Sequence, residues 1–314
     1  MNLLILGGSG FVGTAICNKL AALNHNVTVI TRKRDNARAL FMLPTVTVVE
    51  GDAFDRATLV RYAKGKDALI NLVGILNEKK RGGFNRAHVE LTELALAACK
   101  DAGVSRYLHM SALGASENAP SEYLKSKAKA EAVVRASGLD ATIFAPSVVF
   151  GRGDSFLTRF ANLVALTPPF APFALPGSSA MFQPVWVEDV ASAFVASLTL
   201  KSTIGQRYEL VGPQRYSLGD LVRYVMTLKN DRHIIIGLPG FVTSLLAGVM
   251  QFVPTQPLTP DNVKSMSVAN VSDAPFPAFA GKATPLEQIA PSYIGTAAVV
   301  DTHADARRKA GDRQ

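Results

Sequence analysis

The chain has 314 residues, 48% of them apolar and 18% charged, so it can bury a sizeable core and is neither disordered nor fibrous. A formal net charge of +8 raises nucleic acid or anionic lipid as partners. The basic residues are scattered, however, with short clusters at 32–34 and 79–81, and lack the aromatic-interleaved stripe of a nucleic-acid surface.

Two cysteines and five histidines show no metal-ligand spacing, and Cys17 and Cys99 read as small buried residues of a reduced, intracellular protein. The opening "MNLLILGGSG" has no basic leader and reads as a strand rather than a signal peptide. No apolar run reaches the roughly 20 residues that a membrane span needs.

Over the first half, β-rich runs at 2–6, 26–31, 46–50, 68–72, 106–110 and 140–144 alternate with helical patterns at 11–23, 56–63, 85–102 and 121–137. The strands are nearly continuous in apolar residues, as a parallel sheet covered on both faces requires. The expected fold is a doubly wound α/β sheet of the Rossmann type with a smaller C-terminal lobe.

"LLILGGSGFVGTAICNKL" places Gly7, Gly10 and Gly13 directly after the first strand and at the mouth of a helix. Gly7 makes the tight turn, Gly10 admits a pyrophosphate to the backbone, and Gly13 lets the helix pack closely on the strand. Free N–H groups at the helix start then face the phosphates, unless the segment is only a glycine-rich turn.

The second strand ends "VTVITRKRD", with Arg32 where an NAD-preferring fold places an acid for the ribose 2′-hydroxyl. A guanidinium can clasp a 2′-phosphate, so the sequence favours NADP; a solvated basic turn is the plainer alternative. Asp52 in "EGDAFD" could accept the adenine amino group, and "NLVG" brings Asn71 and Gly74 against the cofactor's middle.

Ser111 follows the fifth strand, twelve residues before Tyr123, and "SEYLKSKAKAEAVV" puts Tyr123 and Lys127 on one helical face. Either an ammonium acts on a phenol there, or this is the wet side of an amphipathic helix. "YAKGK" repeats the spacing at Tyr62 and Lys66, ahead of strand four, and is expected to do nothing. "FNRAHVELTELALAACKDAGV" sets His88 near the start of its helix, to relay a proton or simply to pack.

After Pro146 the texture changes. "LTPPFAPFALPG" is proline-rich, and "PVWVEDVASAFVASL" returns to strand then helix. The expected division is a nucleotide-binding core over 1–150, rejoined by 186–208, with a lobe from 151–185 and 209–290 and a frayed polar tail over 291–314. Residues 237–260 hold no charge and show apolar side chains at helical spacing. They read as a core helix of the lobe, or as one that roofs the cleft and meets a hydrophobic substrate, a lipid headgroup region or a protein partner.

In Gly7-x-x-Gly10-x-x-Gly13, Asp52, Ser111 and Tyr123-x-x-x-Lys127, in that order, the chain resembles the short-chain dehydrogenase/reductase superfamily, in its extended and atypical, epimerase/dehydratase-like branches. The resemblance implies that Tyr123 is the general acid/base toward a carbonyl or alcohol. Lys127 would lower its pKa and bind the nicotinamide ribose, while Ser111 hydrogen-bonds the reacting oxygen. Cofactor contacts would include Phe11, Val12, Ala53, Val73 and Pro146. The sequence departs from that pattern at His88, where the extended branch often has Asn, and at Ala145, where many relatives carry Arg.

"NLVGIL", "FNRAHVELT", "SALGAS", "YLKSKAKAE", "PSVVFGRGDSF", "QPVWVEDVA" and "YELVGPQRYSLGDLV" together resemble one atypical subfamily over 1–266. It includes the dehydrogenase-like accessory subunit of respiratory complex I and its free-standing bacterial relatives. That resemblance implies firm NADPH binding and leaves two functions open. One is an NADPH-dependent reductase of a hydrophobic carbonyl or quinone; the other is a non-catalytic module of a respiratory complex, and a sensor of NADPH level also fits the fold. No metal and no nucleic acid are expected, and the expected location is the cytoplasm, or the periphery of the inner face of the cytoplasmic membrane.

Overall fold

The computed structural model describes residues 1–78, 81–168, 170–238, 248 and 259–295. Strands β1 (Asn2–Leu6), β2 (Asn26–Thr31), β3 (Val46–Glu50), β4 (Ala68–Asn71), β5 (Arg106–Met110), β6 (Asp140–Pro146) and β7 (Arg207–Leu210) form a seven-stranded sheet in the order β7-β6-β5-β4-β1-β2-β3. Every pairing is parallel.

Helices α1 (Phe11–Ala22) and α6 (Val187–Ser197) cover one face, where Ile16, Leu20, Val190 and Phe194 close over Leu3, Ile5 and Phe144. Helices α2 (Arg56–Ala63), α3 (Leu91–Ala102) and α4 (Glu122–Ala136) lie against the other, where Leu59, Leu96 and Val134 meet Leu4, Leu69 and Tyr107. Burial on both faces explains the unbroken apolar character of the strands.

The helix expected over 85–102 opens with a π turn, Asn85–Glu90, before α3 proper, and Gly103 ends it at φ +73°. One extra residue per turn leaves hydrophobic periodicity almost unchanged, so sequence reading cannot register it. The outermost strand, β7, runs past the expected return at 208.

The lobe packs α5 (Leu157–Leu166) against α7 (Leu218–Leu228) around Leu157, Val164, Leu221, Val222 and Val225. Two of its strands, Phe173–Pro176 and Ile235–Leu238, pair in parallel. Helix α8 (Pro260–Met266) returns to the core and touches α4. Within 237–260 only the ends and Gly248 belong to the described residues, and so does 291–295 of the tail.

Candidate active site

Because all seven strands are parallel, the residues that follow them emerge along one edge of the sheet. The neighbours β1 and β4 mark the point where the winding reverses and a crevice opens. At that point Gly7 holds φ +80°, and a Cβ on it would lie 3.1 Å from the Leu72 carbonyl carbon and the Val73 nitrogen. A Cβ on Gly13 would lie 2.3 Å from the Gly7 oxygen, so no side chain fits. Gly8, which the motif does not specify, is equally constrained, with Val29 2.7 Å from its would-be Cβ.

Gly10 begins α1 without a capping side chain, and the first turn carries no acid. The amides at that end are therefore suited to an anion. Beside Ser9, Gly10 and Phe11 lies a cavity of roughly 500 Å³ bounded across the gap by Arg152, Trp186 and Tyr293. Sequence reading passed over Arg152, whose guanidinium donates to the Ser292 carbonyl at 3.3 Å. Val12 is buried under the loop, against the core.

At the end of β2, Arg32 and Lys33 are exposed and form no ion pair among the described residues. Arg34 stacks over Phe41 at 5.3 Å, and Arg38 pairs with Asp35 at 3.0 Å. After β3, Asp52 is exposed and accepts the Phe54 amide at 3.0 Å, while Ala53 and Val73 are each packed, partly buried, against the core on the α2/α3/α4 side of the sheet.

Asn71 is spent inside the protein. It donates to Thr92 Oγ1 (3.2 Å) and to Tyr107 Oη (3.0 Å), and it accepts the Val73 amide at 3.1 Å. Its side chain shapes the 71–74 turn rather than reaching outward. Gly74 lies where a Cβ would come within 3.1 Å of Lys127 Nζ. Pro146 closes β6, and its carbonyl accepts the Leu113 amide at 2.9 Å, tying the loop after Ser111 to the sheet.

Ser111 is fixed through its amide to the Phe144 carbonyl (2.7 Å), and its buried Oγ has no partner among the described residues. A buried hydroxyl without a partner leaves a hydrogen bond that a ligand atom could complete. Helix α4 begins at Ser121, whose Oγ accepts the Leu124 amide at 3.3 Å. Its remaining free amides, Glu122 and Tyr123, donate to the Asp261 carboxylate of α8 at 2.7 and 3.1 Å. Asp261 has no local sequence signal, because the cap comes from 138 residues downstream.

The Tyr123 ring is held edge-on by Phe84 and His88, with centroids at 5.9 and 5.6 Å. Lys127 is buried and donates to the Met110 carbonyl at 3.1 Å. Desolvation lowers its pKa to about 8 against the favourable field of Glu131, which is itself paired with Arg207 at 3.0 Å. Burial pushes the Tyr123 phenol up to about 12, the opposite direction to the lowering that the resemblance implies. The phenol is therefore held protonated, as a proton donor must be.

His88 has both ring nitrogens engaged. The Ile75 amide donates to Nε2 at 3.1 Å, Nδ1 lies 2.8 Å from Ser126 Oγ, and that hydroxyl donates to the Tyr123 carbonyl at 2.7 Å. With Nε2 accepting and Ser126 already donating, Nδ1 carries the proton. Burial, Lys127 and His109 hold its pKa down to about 2. With both nitrogens bonded within the protein, the neutral ring is a strut. It fastens the loop after β4 to the helix that carries Tyr123 and Lys127. Nearby His109 is also buried, with a pKa lowered to about 3 by desolvation and Lys127, and with no partner at either nitrogen among the described residues.

The glycine cradle, the uncapped start of α1 and the orphan Ser111 hydroxyl suit a dinucleotide laid along this edge of the sheet. Residues 7–154 match a family described as NAD(P)H-binding. Subunit 9 of the NADH dehydrogenase [ubiquinone] 1 alpha subcomplex from Mus musculus is 31% identical over 292 residues, covering 90% of this chain and 77% of that protein. A ceramide reductase from Caulobacter vibrioides is 32% identical over 192 residues, covering 61% of this chain and 59% of the reductase.

Among solved structures, a nucleoside-diphosphate-sugar epimerase from Staphylococcus aureus superposes with a TM-score of 0.73 at 17% identity, over 91% of this chain and 98% of the epimerase, which speaks for the fold alone. The chain belongs to the NAD(P)H-binding, short-chain-dehydrogenase-like family of the complex I subunit-9 proteins.

Proposed function

We infer that the protein is an NADPH-dependent reductase of a hydrophobic carbonyl or quinone-like substrate. The observation that carries this reading is the buried, unpartnered Ser111 hydroxyl on the same edge as a protonated Tyr123 and a buried Lys127. A bound nicotinamide would supply the hydride to the substrate carbon. Ser111 donates a hydrogen bond to the substrate oxygen, and Tyr123 delivers the phenolic proton to it. Lys127 offsets the negative charge left on Tyr123. The likeness to a ceramide reductase supports a lipid-like substrate.

The preference for NADP rests on Arg32 and Lys33, cations that no carboxylate answers among the described residues. They should favour NADPH over NADH by about tenfold, and Arg32→Glu should erase the preference. Equal affinity of the unaltered protein for both cofactors refutes the assignment.

The test of turnover is NADPH oxidation by purified protein across long-chain ketones and quinones. Oxidation that depends on substrate and is lost in Ser111→Ala is the expected result. Tight NADPH binding with no turnover on any of them favours the second reading, a non-catalytic accessory module of a respiratory complex. The 31% identity to the complex I subunit over nearly the whole chain supports that alternative. Either way the protein would work in the cytoplasm or at the inner face of the cytoplasmic membrane. Among the described residues, no helix is long and apolar enough to cross a membrane.

A further inference from the structure

The lobe meets the core at a turn that carries a single cation. After β6 the short strand Val149–Phe150 pairs in parallel with Val185–Trp186, which brings Gly151 against the starts of α1 and α6. A Cβ on Gly151 would lie 2.8 Å from Val187 Cγ1, 3.5 Å from the Phe11 ring and 3.6 Å from Trp186 Cδ1. Gly151 and Gly153 hold φ of +149° and +92°, backbone conformations that favour glycine. Arg152 stands between them, in a turn closed by the Asp154 amide on the Gly151 carbonyl at 2.9 Å.

The turn is fixed from behind. Asp154 is buried, and both of its oxygens are engaged. Oδ2 accepts the Gly151 amide at 3.1 Å and the Tyr293 hydroxyl at 2.7 Å, while Oδ1 accepts the amides of Phe156 and Thr158 at 3.0 and 3.1 Å. The acid nearest to Arg152 in sequence is thus committed to holding the turn. Glu188, the acid that bounds the adjoining cavity, is paired with Lys19 at 3.0 Å. Arg152 itself is exposed, and among the described residues its guanidinium makes one hydrogen bond, to the Ser292 carbonyl at 3.3 Å. Most of its N–H donors are unspent.

The cavity that Arg152 bounds also reaches Ser9, Gly10 and Phe11, where α1 begins uncapped. Of the residues around it, Arg152 is the only cation, since Arg32 and Lys33 follow β2 and do not bound this cavity. The diphosphate of a dinucleotide is negative on both phosphates, whereas a helix start offers roughly half a positive charge. The remaining charge calls for a cation, and the planar fork of a guanidinium suits a phosphate.

We propose that Arg152 binds the diphosphate of the nicotinamide dinucleotide, opposite the amides of α1, so that core and lobe junction hold the cofactor between them. NADPH and NADH both carry that diphosphate, so Arg152 supplies affinity without choosing between them, a part distinct from that of Arg32. The proposal rests on dinucleotide binding and not on turnover.

Calorimetric titration of the full chain with NADPH, NADH and ADP-ribose, at about 0.05 and about 0.15 M ionic strength, tests it. Arg152→Gln should weaken all three by a common factor of about ten, leaving the ratio of NADPH to NADH affinity and the melting of the cofactor-free protein unchanged. Its NADPH affinity should also fall less steeply with salt than that of wild type, because one ionic contact has gone. Arg152→Lys keeps the charge without the fork and should recover part of the loss.

The proposal is overturned if Arg152→Gln binds all three ligands as wild type does, or if its salt dependence is that of wild type. It is equally overturned if the loss falls on NADPH alone, because Arg152 then reads the 2′-phosphate. Should Arg152→Gln melt early, Arg152→Met, which keeps the length of the stem, is read by the same criteria. Wild-type protein that binds none of the three overturns the proposal together with the cofactor site beneath it, an outcome distinct from the others.

Discussion

Two segments of this chain carry a tyrosine four residues ahead of a lysine, and the fold treats them in opposite ways. Tyr123 and Lys127 lie inside α4, which continues to Ala136, so the spacing becomes a shared helical face. Helix α2 stops at Ala63, and Gly65 turns the chain at φ +71°, so Lys66 lies beyond the helix that carries Tyr62. Lys66 donates instead to Thr28 Oγ1 at 2.8 Å, and Arg61 stacks over Tyr62 at 5.4 Å. Lys66 also precedes β4, at the edge of the sheet opposite to the one where Ser111 emerges. The same five-residue spacing is thus one helical face in one place and a helix end in the other. What separates them is the surrounding hold: α4 is gripped by Asp261, Ser126–His88 and Glu131–Arg207.

That hold gives the largest expected effect. His88 and His109 are buried beside α4 with folded pKa values of about 2 and 3, below the ordinary 6.5. The unfolded chain binds protons that the folded one refuses, so the stability they allow is full above pH 6.5 and falls as pH drops toward 3. At pH 5 the loss should be roughly 2 kcal/mol for each imidazole. Denaturant titrations at pH 7 and pH 5 measure it, and His88→Gln/His109→Phe should remove most of the slope between them. An equal slope in that double variant would place the acid sensitivity elsewhere.

Next comes the chemistry itself. Tyr123→Phe should lower turnover by about a hundredfold with NADPH still bound, whereas Tyr62→Phe should leave the rate unchanged. Equal losses, or none in either, would erase the distinction between the two copies. Asp261→Ala should cost about 1 kcal/mol in thermal or chemical unfolding, as the loss of a helix cap does. Turnover should fall about fivefold with little change in KM, because the substitution tilts Tyr123 without touching substrate. Asp261→Asn keeps an acceptor oxygen and should recover much of both. The smallest effect belongs to the other copy: Lys66→Met should shift stability by no more than about 0.5 kcal/mol and turnover not at all.

Much of this was legible in the chain. Strands β1, β2, β3 and β5 have the limits that their apolar runs suggest, and the glycine spacing after β1 is explained by backbone atoms 2.3 to 3.2 Å from where a Cβ would stand. Local patterns carry such features because the cause lies within a few residues. The hold on α4 was not legible for the opposite reason. Asp261 and His88 act across 139 and 38 residues of sequence, and nothing near either one marks it as a partner of that helix. The direction of the Tyr123 shift was also hidden, since it depends on how much water the folded surroundings exclude.

The Asp261 cap also sets an order on how this protein comes into being. A ribosome emits α4 long before α8, and at about 5–20 residues per second the intervening 138 residues take on the order of ten seconds. Throughout that interval the sheet and its helices can assemble, but the amides of Glu122 and Tyr123 have only water for a partner. A nascent chain cut short before residue 260 therefore holds the whole nucleotide cradle yet leaves the amides of Glu122 and Tyr123 uncapped, and the site is finished only when the lobe is.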